Sequence, residues 1–205
     1  FQTGGQDCLA ANRIFVHGSI YDAFVAAFAE AASAIKVGDG MDPETDMGPL
    51  IDQTAMAKAA EHVSDAIEHG ARLVTGGRPC DRGGLFYEPT VLANVPASAT
   101  IMHEETFGPV AAVVPFEEEA QVVASANDTE YGLVAYVFTN DLSRAHRVSD
   151  ALEYGMVAVN TVKITGAPIP FGGIKQSGLG REGSRHGIDE YTVLKYLCMA
   201  VNPSK

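Results

Sequence analysis

Between Pro109 and Asn160 short apolar runs alternate with longer amphipathic ones, and this alternation limits the possible folds more than any other feature of the chain. Pro109 to Phe116 reads as a buried strand, Glu117 to Asn127 as a helix, Gly132 to Thr139 as a strand, Leu142 to Tyr154 as a helix and Met156 to Asn160 as a strand. Helices of that length between strands form βαβ units, because each helix carries the chain back to the starting end of the sheet. The pattern predicts an α/β fold with a mostly parallel sheet flanked by helices on both faces.

The first half is less regular. Arg13 to His17 is β-branched and aromatic and predicts a strand, after which Gly18-Ser19 breaks the chain. Ile20, Phe24, Ala27, Phe28 and Ala31 recur at helical spacing, with Ser19 as the candidate N-cap. A loop rich in Gly and Pro runs from Gly38 to Asp52, and Thr54 to His69 regains helical period and stops at Gly70. Arg72 to Thr75 and Phe86 to Leu92 predict extended structure, joined through a turn that leaves Cys80 exposed. Beyond the glycine-rich stretch Pro170 to Gly180, a short helix is expected at Arg181 to Tyr191 and a strand at Val193 to Ala200. That last strand is apolar on both faces and calls for a partner surface, with another subunit favoured.

Phe1-Gln2-Thr3-Gly4-Gly5-Gln6-Asp7-Cys8 carries the chemistry. Two glycines let backbone and substrate approach closely, and the small residues after Cys8 predict a helix whose N-terminal amides face the sulfur. Such a site favours the thiolate and any oxyanion formed next to it. A lone cysteine is otherwise read as a buried residue under a turn. The chain starts inside this stretch without a Met, strand or linker, which reads as a piece of a longer polypeptide.

With 205 residues, 46% hydrophobic and 20% charged, the chain can bury a substantial core. Its formal charge of −12 disfavours nucleic acid and anionic membranes as partners. No apolar run is long enough to span a bilayer and no signal-peptide layout is present, so a cytoplasmic or organelle-lumen enzyme is expected. Cys8, Cys80 and Cys198 are too scattered for a disulfide framework, and no histidine has zinc-like spacing, so no metal is assigned. Gly178-Leu179-Gly180-Arg181-Glu182-Gly183 matches a dinucleotide-binding glycine pattern in letters only. Polar Lys175-Gln176-Ser177 precedes it instead of a hydrophobic strand, and the acidic residue expected about 20 positions on is missing. His103-Glu104-Glu105-Thr106-Phe107-Gly108-Pro109-Val110 reads, from composition alone, as a turn entering a strand.

Two of these segments carry a resemblance. Phe1 with Gly5-Gln6-Asp7-Cys8 resembles the active-site cysteine signature of the NAD(P)-dependent aldehyde dehydrogenases, and Glu105-Thr106-Phe107-Gly108-Pro109 resembles their Glu-x-Phe-Gly-Pro motif. The likeness extends over the whole chain, and Gly173 to Ser184 with Tyr191, Lys195 and Tyr196 is most similar to succinate-semialdehyde dehydrogenases. It implies a catalytic domain over 1–190 and an oligomerisation strand and tail over 191–205, in a homodimer or homotetramer.

The resemblance also implies roles. Cys8 is the nucleophile that forms a thiohemiacetal and then a thioester with a small-molecule aldehyde. Glu105 holds the ribose hydroxyls of NAD or NADP and Phe107 packs beside the nicotinamide. Gln2, Asp7 and Phe171 belong to the substrate site, with Phe171 on the path to Cys8. The water-activating glutamate, the oxyanion amide and the cofactor domain precede the cysteine signature in such enzymes, so little activity is expected of this chain alone. Two departures stand out: Gln2 replaces the arginine that binds a substrate carboxylate, and Ala10 replaces a second cysteine. A coenzyme A-acylating enzyme and an inert oligomerisation piece are the alternatives.

Overall fold

The computed structural model describes residues 1–201 and divides into two units, Phe1–Thr129 and a second that begins at Glu130. In the first unit a four-stranded sheet has the order β1-β4-β3-β2, formed by β1 (Arg13–His17), β2 (Arg72–Thr75), β3 (Thr90–Ala93) and β4 (Val110–Phe116). β1 and β3 run parallel to β4, and β2 closes the edge antiparallel to β3. Helices α1 (Tyr21–Ser33), α2 (Gln53–Glu68) and α3 (Glu119–Asn127) complete the unit.

Successive residues of a strand point to opposite faces, and the two central strands supply both halves of the core in this way. Leu92, Val110 and Ala112 pack with Met56, Ala59, Val63 and Ala66 of α2. Val91, Ala93 and Val113 pack with Val16 and with Tyr21, Val25 and Ala32 of α1. The sheet is therefore covered on both sides, as the apolar, non-alternating Val110 to Val114 implies. Asp52 caps α2, its Oδ1 accepting the Ala55 N–H at 2.8 Å, and Gly70 ends that helical run with φ of 104°.

The second unit holds the parallel pair β6 (Val134–Val137) and β7 (Met156–Val159), with α4 (Leu142–Ala151) connecting them. β5 (Tyr131–Gly132) pairs antiparallel with β8 (Ile174–Lys175). Asp141 caps α4 by accepting the Arg144 N–H at 3.0 Å, and that bond holds its carboxyl below the usual range. No helix among the described residues is long and apolar enough to cross a membrane.

Several expected boundaries move for identifiable reasons. Ser19 does not cap α1: its N–H donates to His17 Nδ1 at 3.2 Å within a 3-10 turn, and Ile20 occupies the cap position. The extended run at Phe86 to Leu92 pairs in two pieces: Tyr87 forms an isolated antiparallel bridge with Pro79, and the sheet strand starts at Thr90, after Pro89, which has no N–H to give. Cys80 is half-buried, not exposed, with its N–H bonded to the Phe86 carbonyl at 2.8 Å. The helix expected at Arg181 to Tyr191 is reduced to a 3-10 turn at Gly187–Tyr191, since Gly183 and Gly187 weaken helical propagation. The expected strand at Val193 to Ala200 is unpaired among the described residues, and Val193, Leu194, Tyr196 and Met199 are exposed. A strand exists only against a partner edge, and the last part of the predicted tail, 202–205, lies outside the described residues.

Two buried tyrosines make opposite predictions. The Tyr21 hydroxyl donates to the Val113 carbonyl at 3.1 Å and accepts the Asn94 N–H at 2.6 Å, joining α1 to the sheet. Tyr87 is 1% exposed and its hydroxyl has no hydrogen-bond partner among the described residues; burial pushes its pKa up to about 12. Tyr21→Phe is expected to lower stability by about 1–2 kcal/mol, and Tyr87→Phe to leave it unchanged or raise it. Denaturant unfolding of both variants checks the ordering.

Candidate active site

The loop before β1 places the cysteine. Gln2–Gly5 forms a 3-10 turn, and Gly5, at φ of 70°, lies so close to the Gly108 carbonyl that a Cβ there would collide with it. Glycine is required at position 5 on both counts. Gln6 braces the loop: its Nε2 donates to the Thr3 carbonyl at 3.1 Å and its Oε1 accepts the Ile51 N–H at 2.8 Å.

No helix follows Cys8, contrary to the sequence expectation. Asp7 captures the next amides instead: Leu9 N–H donates to Asp7 Oδ1 at 2.9 Å, and Ala10 N–H to the Asp7 carbonyl at 2.9 Å. A short carboxylate that bonds its own backbone two residues on stabilises a turn in place of a helix. Cys8 is exposed in this turn. Its thiol pKa is raised, not lowered, first through partial burial and then through the negative charge of Asp7, with Glu105 acting in the same sense. The Cys8 N–H bond opposes these effects and favours the thiolate.

Asn12 ties the cysteine loop to the second motif. Its Nδ2 donates to the Ile101 carbonyl at 2.7 Å and the Glu104 carbonyl at 3.3 Å, while its Oδ1 accepts the Thr106 N–H at 3.2 Å. Thr106 is 3% exposed, and its hydroxyl lies 2.9 Å from Nδ1 of His62, itself 2% exposed. Burial, with Lys58 adding to it, pushes the His62 pKa down, so the ring is neutral near pH 7. The buried Thr106 leaves its neighbours Glu105 and Phe107 on the outside of the loop, both exposed, with Phe107 in the left-handed region at φ of 50°.

Asp7, Asn12, Glu105, Phe107 and Gly108 line one shallow cleft. An accessible carboxylate beside an accessible aromatic face fits the ribose and nicotinamide of a dinucleotide: the first accepts paired hydroxyls and the second packs on a flat ring. Of the residues singled out from sequence, Asp7, Glu105 and Phe107 are brought to this cleft, and Cys8 adjoins it through Asp7. Gln2 is exposed on the 3-10 turn and is not among the lining residues. Phe171 belongs to the second unit, half-buried, exchanging backbone bonds with Glu182 at 2.9 and 2.7 Å. Asn12, Thr106 and His62 escaped sequence reading. His62 had a usable signal, as the polar residue on the inward face of α2 among Met56, Ala59, Val63 and Ala66.

Removing the Asp7 charge should ease ionisation of its neighbour. In Asp7→Asn the pH inflection for alkylation of Cys8 is expected to fall, whereas the parent inflection lies above the ordinary thiol range. Iodoacetamide labelling read by mass spectrometry across pH measures both, and an unchanged or higher inflection contradicts the assignment of Asp7 as a suppressor of the thiolate.

Comparison with known proteins identifies the family of the chain. The model of the aldehyde dehydrogenase family matches residues 1–197. The succinate-semialdehyde dehydrogenase [NADP(+)] of Escherichia coli is 51% identical over 98% of this chain and 42% of its own length. The non-phosphorylating aspartate-semialdehyde dehydrogenase of Halomonas elongata is 54% identical over 97% of the chain and 40% of its own length. A crystal structure described as an E. coli NADP-dependent enzyme superposes with a TM-score of 0.95 at 52% identity, over 97% of this chain and 41% of that one. The chain thus spans about two fifths of the length of the relatives it matches. On this extent of agreement in sequence and in fold, the chain belongs to the aldehyde dehydrogenase family.

Proposed function

We propose that the full-length polypeptide carrying this chain oxidises an aldehyde to the carboxylic acid, with Cys8 as nucleophile and NAD(P)+ as hydride acceptor. The observation that supports this reading is the single cleft in which Glu105 and Phe107 face outward next to the Cys8 turn. The Cys8 thiolate attacks the aldehyde carbon to form a thiohemiacetal, and the Cys8 N–H helps to hold the oxygen. The bound nicotinamide supplies one thing, acceptance of the hydride that leaves that carbon. Water then cleaves the Cys8 thioester, returning the thiol and releasing the acid. Glu105 would hold the ribose hydroxyls of the cofactor, and Phe107 would pack beside its nicotinamide.

The names of the relatives, which specify succinate and aspartate semialdehydes, support a semialdehyde as the substrate class. We assign a short semialdehyde, with Gln2 and Asp7 in the substrate site. Gln2 offers a neutral amide and Asp7 a negative charge, so a substrate bearing a cationic group beside its carboxylate suits this loop better than a plain dicarboxylic semialdehyde. All three cysteines are free thiols, which fits a reducing compartment such as the cytoplasm. The exposed apolar residues from Tyr191 to Val201 are assigned to contact with another copy in a homo-oligomer, as an oligomerisation segment beyond a catalytic domain over 1–190.

In the full-length enzyme, Cys8→Ser is expected to lower turnover at least about 10³-fold. Glu105→Gln is expected to weaken NAD(P)+ binding roughly tenfold without slowing alkylation of Cys8. Retained turnover in Cys8→Ser overturns the reading. Product analysis with and without coenzyme A separates hydrolysis from acyl transfer. The 205-residue chain by itself is expected to show no measurable NAD(P)-dependent turnover.

A further inference from the structure

Glu105 and Phe107 sit on a loop whose only deeply buried side chain between them is that of Thr106, and this side chain is held from two directions. Its hydroxyl lies 2.9 Å from His62 Nδ1 on α2, and its backbone N–H donates to Asn12 Oδ1 at 3.2 Å. Asn12 in turn stands four residues after Cys8 and also donates to the carbonyl of Glu104 at 3.3 Å. We infer that Thr106, clamped between His62 and Asn12, is a positioning residue that sets the reach of Glu105 and Phe107 toward the cofactor and fixes it relative to Cys8. The inference rests on the roles proposed above for Glu105 and Phe107.

The geometry gives each partner a separate task. Thr106 cannot turn outward without leaving the buried imidazole unpaired, so the alternation that sends Glu105 and Phe107 into the cleft is locked by one hydroxyl. Phe107 occupies the left-handed region, which a bulky residue adopts only where its surroundings impose it. The bond from Thr106 N–H, one residue before, is part of that imposition. His62 Nε2 lies 3.9 Å from a Glu104 carboxylate oxygen, too far for a hydrogen bond, so the ring is oriented through Nδ1. Asn12 then links this assembly to the segment that bears the sulfur, so cofactor end and nucleophile share one hydrogen-bonded base.

The test uses the full-length enzyme and two readouts: the dissociation constant for NAD(P)+ by calorimetry, and the alkylation rate of Cys8. Thr106→Val keeps the shape and removes the hydroxyl; it is expected to weaken cofactor binding about tenfold and to leave the alkylation rate within about twofold of the parent. Thr106→Ser restores the hydroxyl and is expected to bind cofactor within about twofold of the parent, a rescue that a purely space-filling role would not produce. Asn12→Ser is expected to weaken cofactor binding in the same direction and decides the matter if Thr106→Val does not fold. Parent-like cofactor affinity in folded Thr106→Val, or in Asn12→Ser, while Glu105→Gln is impaired, overturns this inference and leaves the role of Glu105 standing. Parent-like affinity in Glu105→Gln removes the underlying role and this inference with it.

Discussion

The close approach of Gly5 to the Gly108 carbonyl is the contact on which the site depends. It brings the cysteine loop against the start of β4, which lies at the centre of the sheet between β1 and β3. A side chain at position 5 would push the loops apart, and the hydrogen bonds of Asn12 to Ile101, Glu104 and Thr106 span only the gap that this contact leaves. Behind it the core is divided between α1 and α2, so the loops rest on an element fixed from both faces. The cleft is precise because its floor is backbone, not because its walls are rigid side chains.

Electrostatics in the cleft run against the simplest picture of a primed nucleophile. Two carboxylates, Asp7 and Glu105, face a thiol with no helix N-terminus beneath it, and the sulfur is held protonated more firmly than in water. A thiol of this kind gains reactivity only when a positive charge or a base arrives. A thiol held protonated reacts slowly with oxidants and alkylating agents, because the thiolate is the species that reacts.

The sequence carried the larger part of the fold. The apolar run at Val110 to Val114 and the spacing of Met56, Ala59, Val63 and Ala66 located β4 and α2 to within a few residues, because burial of a continuous strand and of one helix face leaves a period in the chain. Cys8, Glu105 and Phe107 stand out in the sequence through short motifs. What was not legible depended on contacts distant in sequence or on a side chain choosing a local backbone partner. Asp7 bonding the Leu9 amide turned an expected helix into a turn, and Ser19 lost its capping role to the ring of His17. Asn12 and Thr106 lie 94 residues apart, so no periodicity could pair them. The strand expected near Val193 carries its signal in composition, while its existence depends on an edge that composition does not describe.

The register of β1 on β4 has a kinetic consequence. Arg13 pairs with Ala112, so the strand that follows the cysteine loop must wait for a segment about a hundred residues later before it can be hydrogen-bonded. Loops of that length close late and contribute to high contact order. During synthesis the cysteine therefore emerges well before the strand that completes its surroundings, and the cleft is among the last parts of this unit to assemble. A polypeptide stalled before β4 would carry an accessible thiol without the loop that bears Glu105 and Phe107, which makes this interval the time at which the site is most open to chemical damage.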